Sequence, residues 1–409
     1  MVDKNNKSFC ILPFVHTHLN TEGDVFPCCV GWSADRKTRI GYIKDNSLEE
    51  LFNSSEMKQL RLDMVAGKRR PDFCEPCYKF EDNGFHSARN GNNNDFEDVA
   101  DKIISEMHDD GYLDPKIISW DIRFSNLCNL KCRTCGSIYS TSWVQENEQN
   151  GIPTVGRLNS VPEGTDPLEN QYDNVEKIYF AGGEPLIMPE HFNTLQKLID
   201  SGRAQHVKLV YNTNMTKLNY NNNNLVEYWK QFKQVVLGMS IDGMGDRAEY
   251  IRNGIKWNVI EQNIRTIAEI SRENRNISQH ISPTVSIMNV YTLPEMHKYF
   301  VENSLIPSIN SIVLNILLGP SYFELRNLSN DLKEEIKQIY RDHIEWLKSN
   351  DAEERILEGF ASVISYIDNP STDQDVKDFV SRTKQLDKIR KQNFPDVFPE
   401  YSKWWKEIS

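Results

Sequence analysis

From residue 136 to residue 409 the chain contains no cysteine; all eight sit at positions 10, 28, 29, 74, 77, 128, 132 and 135. A disulfide-stapled secreted protein would spread its cysteines, and a chain this long can build a core without staples. Nowhere is there a run near the roughly 18 apolar residues of a membrane span. The first ten residues, MVDKNNKSFC, lack the apolar core of a signal peptide. Basic excess is missing too: 47 Lys and Arg against 59 Asp and Glu give a formal net charge of −12. That argues against general nucleic-acid binding, which needs clustered Lys and Arg. Lys68-Arg69-Arg70 is a short strip that reads as a solvated loop. No internal repeat of fixed period is visible. What remains is a soluble chain of two domains or one large one, expected in the cytoplasm and away from membranes. Clustered cysteines in such a chain point to thiolates holding metal.

The Cys-bearing segment 1–90 reads as a hairpin followed by helices. Residues 14–20 alternate, Thr21-Glu22-Gly23-Asp24 is a turn, and Val25-Phe26 starts a second strand. Ser47-Leu-Glu-Glu50 is a capping box, and a helix is expected from about 56 to 65. Cys74-Glu-Pro-Cys77 is expected on a loop and Asn90-Gly-Asn-Asn-Asn94 as a linker, with a helix at about 96–109. From Lys116 strands alternate with helices. Strands fit 117–124, 176–181, 206–212, 235–241, 284–289 and 311–317; helices fit about 189–200, 224–233, 257–273 and 293–303. Six strands joined by crossovers imply an α/β fold with a parallel sheet or barrel. The last 90 or so residues read as polar helices with apolar stripes through Leu332–Leu347, Ile356–Ile367 and Val376–Ile389.

Cys128-Asn-Leu-Lys-Cys132-Arg-Thr-Cys135 directly follows the first strand of the α/β region. Three thiolates on one loop can hold three irons of a cubane cluster and leave the fourth iron open for chemistry. Loops after strands at the C-terminal face are where barrel active sites collect. A zinc knuckle with a distant fourth ligand, or three incidental thiols, would share the spacing; His108 is the nearest upstream histidine. This Cys-x3-Cys-x2-Cys loop, with Phe180-Ala-Gly-Gly-Glu-Pro185 after the next strand, resembles the radical S-adenosylmethionine (radical SAM) superfamily. The resemblance implies a partial (β/α)6 barrel, TIM-like. It also implies a 4Fe-4S cluster on Cys128, Cys132 and Cys135, with SAM on the open iron. Gly182, Gly183 and Glu184 would receive the SAM amino group, since two glycines allow close backbone approach and a carboxylate pairs with an ammonium. Ser240, in Met239-Ser-Ile-Asp-Gly243, would meet the ribose and methionyl end, and Arg252 would pair the SAM carboxylate. Asp242 reads as a turn residue. Asn214 lies in Thr213-Asn214-Met215, where Met215 replaces the family's glycine. Thr134 stands where the family commonly has an aromatic residue near adenine. Leu314 and Leu317 are weaker adenine-side candidates and read as barrel core.

Cys10, Gly23-x4-Cys28 and Cys74-x2-Cys77 offer four further thiolates, a saturated set that zinc or an iron–sulfur cluster would fit equally. The pattern resembles the twitch domain, the short form of SPASM, which accompanies radical SAM cores and binds an auxiliary iron–sulfur cluster, of 4Fe-4S type. Its usual place is after the barrel; here it comes first. Cys29 is then the spare thiol. His16 and His18 share a hairpin face and read as strand residues packing beside the cluster.

The resemblance divides the chain into an auxiliary cluster domain at 1–90, a linker and helix at 91–115, a radical SAM core at 116–320 and a helical C-terminal extension at 321–409. It implies an enzyme that cleaves SAM reductively and abstracts hydrogen from its substrate. By family frequency that substrate is a peptide or protein side chain, oxidised or cross-linked with help from the auxiliary cluster. The partner implied is an external one-electron reductant such as a flavodoxin or ferredoxin. A dehydrogenase of a small carbohydrate or nucleotide is the alternative. A non-catalytic zinc or iron–sulfur scaffold is the distant one, and it leaves Gly182–Pro185 and Ser240 without a reason.

Overall fold

The structure, a computed structural model, describes residues 6–31, 37–82, 86–162, 164–221 and 223–409. It has the α/β class expected, with parallel strands alternating with helices and a helical C-terminal region. Two compact units are distinguished: residues 1–128, 153–210 and 231–234 form the first, and 129–152, 211–230 and 235–409 the second.

In the first unit the N-terminal hairpin joins the main sheet. His16–Leu19 pairs antiparallel with Asp24–Phe26 on one side and parallel with Ser119–Ile122 on the other, in the register His16↔Ser119 to Leu19↔Ile122. Ser119–Ile122 then pairs parallel with Lys177–Phe180. Side chains alternate across a strand, so this register sorts them. Trp120, Ile122, Ile178 and Phe180 share one face and are buried. The other face carries His16, His18, Ser119, Asp121, Lys177 and Tyr179. There His16 Nδ1 lies 2.9 Å from Ser119 Oγ, and His18 Nδ1 lies 3.0 Å from Asp121. The expected alternation from Phe14 begins two residues late, because Pro13 starts a helical turn over Leu12–Val15.

Three expectations in this unit change. Cys74-Glu-Pro-Cys77 lies inside the helix Pro71–Asp82 and not on a loop. Asn90–Asn94 belongs to the helix Ala88–Asp95, started by a capping box in which Ser87 Oγ accepts from Asn90 N–H and Asn90 Oδ1 from Ser87 N–H. A local cap here overrides the turn preference of asparagine and glycine. The helix expected at 96–109 is the shorter Glu97–Ser105. The basic strip is neutralised, with Lys68 and Arg70 on Asp63, and Arg69 on Asp82.

In the second unit residues Val235 to Met239 pair parallel with Ile277–Ile281. The second of these strands was missed, because Ser278 and His280 alternate with buried Ile277, Gln279 and Ile281 and the segment reads as polar. The strand expected at 284–289 stops at Val285: Ser286 N–H binds the Asn289 side chain, and the chain turns. Of 311–317 only Asn315–Ile316 pairs as a strand. The 224–233 helix is the shorter Leu225–Trp229. Long helices follow at Asn330–Ser349, Glu354–Ile367 and Asp373–Arg390. Among the described residues, no helix is long and apolar enough to cross a membrane.

Two buried histidines tie this helical region together. His297 Nδ1 lies 3.1 Å from His343 Nε2, and the His297 ring stacks on Phe360. Burial pulls His297 down to about 4 and His343 to about 3, from an ordinary 6.5. The unfolded chain therefore takes up protons that the native state refuses. Stability from this pair is complete above pH 6.5 and is lost as the pH falls toward about 4. Thermal melts at stepped pH should show Tm falling through that window, less steeply in His343→Phe; equal slopes would refute the assignment.

Candidate functional site

The glycine pair is packed against the segment that leads into Cys128. Gly183 N–H donates to Ser125 O at 3.2 Å and Glu184 N–H to Leu127 O at 2.8 Å. A Cβ on Gly183 would lie 2.2 Å from Leu127 O, and Gly182 holds φ at +116°. Only glycine permits both. Glu184 is buried and its carboxylate accepts from Leu186 N–H at 3.1 Å, capping the short turn Pro185–Ile187.

Cys132 and Cys135 belong to the second unit. Lys131–Cys132 forms a two-residue antiparallel pairing with Arg252–Asn253, which puts Arg252 opposite Cys132. Arg252 Nη1 lies 3.7 Å from Cys132 Sγ, and Arg252 Nε lies 2.8 Å from Asp242. Burial raises the Cys132 thiol, and the Arg252 charge works against that rise. Burial and the Cys132 charge push Cys135 up to about 12. Asp242 is therefore more than a turn residue: it is buried, anchors Arg252, and accepts from Thr284 N–H at 2.8 Å. The acid in Met239-Ser-Ile-Asp-Gly243 was its only sequence signal.

Asn214 Nδ2 donates to Asn129 Oδ1 at 3.1 Å, and Asn129 donates to Thr216 Oγ1 at 2.9 Å, so this turn grips the residue that follows Cys128. Ser240 is half-buried, with its N–H on Thr213 O. Thr134 and Leu314 are half-buried and Leu317 is buried. Met215, in place of the family's glycine, keeps the glycine conformation at φ +59° and is fully buried. In Met215→Gly, relief of about 1–2 kcal/mol of left-handed strain competes with loss of a buried side chain, worth about 2–5 kcal/mol. Urea unfolding should show net destabilisation; a stabilised variant would mean that strain outweighs packing.

The other four thiols gather in the first unit. Burial raises all four, and Cys10 also feels the charges of Cys28, Cys74 and Cys77. Cys28 and Cys74 reach about 12. Cys74 and Cys77 are three apart on the Pro71–Asp82 helix, so they share a face. Three further residues lie beside this set: Ser87 and the Arg89 backbone pull the Cys77 thiol down against burial, and Tyr78 does the same for Cys74. The Ser87–Asn90 capping pattern was the available signal for the first two. Cys29 instead lies near Asp121, whose charge adds to burial in raising its thiol, and His16 and His18 lie on Ser119 and Asp121. Among the described residues, no three His, Cys, Asp or Glu side chains converge to hold a single metal ion.

Residues 122–288 match the radical SAM superfamily, and residues 10–78 match SPASM, an iron–sulfur cluster-binding domain. The chain thus contains a radical SAM domain, with a SPASM domain ahead of it. Among curated proteins nothing matches. The solved structures similar to the chain include two of one protein. Streptococcus suis SuiB bound to S-adenosylmethionine is 11% identical with TM-score 0.38, over 73% of this chain and 64% of that one. Streptococcus suis SuiB is 13% identical with TM-score 0.39, over 82% of this chain and 69% of that one. The chain thus spans a little under two thirds of the first of these structures.

A radical SAM domain holds a 4Fe-4S cluster and SAM, and a SPASM domain holds auxiliary iron–sulfur chemistry. The donors of this chain suit both, since all eight cysteines are free of disulfides and thiolate is the ligand such clusters take.

Proposed function

We propose that this radical SAM protein cleaves SAM reductively at a cluster held by Cys128, Cys132 and Cys135, and abstracts hydrogen from a peptide or protein side chain. When bound, the cluster and SAM supply a 5′-deoxyadenosyl radical. The observation that carries the reading is the backbone lock of Gly183 and Glu184 on Ser125 and Leu127, because it joins the family's glycine motif to the family's cysteine loop. Gly182 and Gly183 keep the backbone close, and Glu184 is the carboxylate for the SAM ammonium. Arg252, oriented by Asp242, is the cation for the SAM carboxylate. Ser240 and Asn214 line the ribose and methionyl side, and Thr134 the adenine side.

Cys10, Cys28, Cys74 and Cys77 would hold the auxiliary cluster, an electron acceptor for oxidation or cross-linking. In this reading residues 1–90 are the auxiliary domain, 91–115 join it to the core at 116–320, and 321–409 extend the core. The protein works in the cytoplasm with a flavodoxin- or ferredoxin-like reductant.

Anaerobic reconstitution with iron and sulfide, followed by SAM and dithionite, should yield 5′-deoxyadenosine by mass spectrometry. Cys128→Ala/Cys132→Ala/Cys135→Ala should reduce it to background. Equal product from both proteins would sink the reading.

A further inference from the structure

Arg133 sits between two of the loop cysteines, and its side chain is fully buried. Burying a guanidinium costs several kcal/mol unless it is paired and hydrogen-bonded. Its partners come from the far end of the chain. Nη2 lies 2.5 Å from Asp387 Oδ1 and 2.9 Å from Gln392 Oε1. Nε donates to Tyr250 O at 3.2 Å, and the guanidinium lies 3.5 Å over the Tyr250 ring. The Tyr250 hydroxyl donates to the same Asp387 oxygen at 2.7 Å, and the other Asp387 oxygen takes Phe394 N–H at 2.8 Å.

One turn along the same helix, Arg390 binds Glu146 at 2.8 Å. Glu146 also takes Lys131, the residue before Cys132, at 2.7 Å. Arg390 lies 4.7 Å over Trp143, whose Nε1–H donates to Cys132 O at 2.9 Å. Both flanks of Cys132 are therefore fastened to one C-terminal helix. Apolar packing would stabilise a helix–loop contact as well as these buried ions do. What the ions add is direction: bidentate and charge-assisted bonds allow one loop geometry and penalise others.

We propose that the Asp373–Arg390 helix is part of the cysteine-loop site, with Asp387 (through Arg133) and Arg390 (through Glu146 and Trp143) as positioning residues that hold Lys131–Cys135 in ligating geometry. The proposal rests on the reading of Cys128, Cys132 and Cys135 as cluster ligands.

The test uses full-length reconstituted protein and the variants Asp387→Asn and Arg390→Gln, which keep side-chain size. Lys337→Met is the control: it breaks a 2.8 Å pair with Asp368 in the same helical region without touching the loop. Two readouts are taken, the rate of iron loss to a chelator and the SAM-induced change in the EPR signal of the reduced protein. Asp387→Asn and Arg390→Gln should lose iron about 10-fold faster, the usual scale for removing a partner that orients a ligand, and their SAM-responsive signal should be altered. Lys337→Met should lower Tm and leave both readouts alone. Unchanged variants, or a control that behaves like them, overturn the proposal alone. A wild-type protein with no SAM-responsive signal overturns the cysteine reading and this proposal together.

Discussion

Gly183→Ala should cut 5′-deoxyadenosine formation by on the order of 100-fold while leaving most of the fold in place. The obstacle is steric, because the new Cβ would meet Leu127 O at 2.2 Å, Leu127 C at 2.6 Å and Asn126 C at 2.9 Å. All three are backbone atoms, so no side-chain rotation can make room. The 125–127 segment must move by about 1 Å or more, and displacements of that size cost on the order of 100-fold in rate when they misplace reacting groups. Cys128 is the next residue. Gly182→Ala is the milder comparison: its Cβ meets Arg123 Cβ at 3.1 Å and Ser125 O at 3.2 Å, and the strain comes mainly from φ. Circular dichroism and iron content measured beside turnover separate the outcomes. A Gly183→Ala protein with wild-type iron and wild-type product would show that the loop absorbs the clash.

Arg252→Gln should lower SAM cleavage by about 10–100-fold, the range for losing a group that orients a metal ligand. Arg252 has two neighbours, Asp242 at 2.8 Å and the Cys132 sulfur at 3.7 Å. Without it Asp242 is left as an uncompensated buried charge, a loss of about 3–5 kcal/mol in comparable pairs. Stability and activity therefore fall together in the single variant and need separating. Arg252→Gln/Asp242→Asn removes both charges, so the melting temperature should recover while turnover stays low. If turnover recovers with stability, Arg252 has a structural role only. Arg252→Lys should rescue little, because a single ammonium cannot reproduce the guanidinium fork between a carboxylate and a sulfur.

Much of the candidate site is legible in the sequence because the chemistry proposed for it needs rare residue types at short, fixed spacings. Three thiols within eight residues, and Gly182-Gly183-Glu184 after the next strand, survive any uncertainty about the intervening structure. Strands with an apolar run, such as residues 178–180 of Lys177–Phe180 and 235–239 of Gln234–Met239, were legible for the same reason: their character shows in the residues themselves. Ile277–Ile281 was not, since Ser278 and His280 alternate with the buried side chains. Nor was the Ala88–Asp95 helix, where one capping box decided what composition argued against.

The sequence alone determined where the candidate ligands of this protein lie, because residue type and spacing are local properties of the chain. The tertiary structure alone decided what surrounds those ligands. Asp242 beside Arg252, Ser87 and Arg89 beside Cys77, and Asp387 on Arg133 are pairings that only the folded backbone brings about. Asp242, Ser87, Arg89, Arg133 and Asp387 each read alone as ordinary polar residues. Their meaning comes from burial, which makes an unpaired charge costly and so selects the partner, and burial is a property of the folded chain.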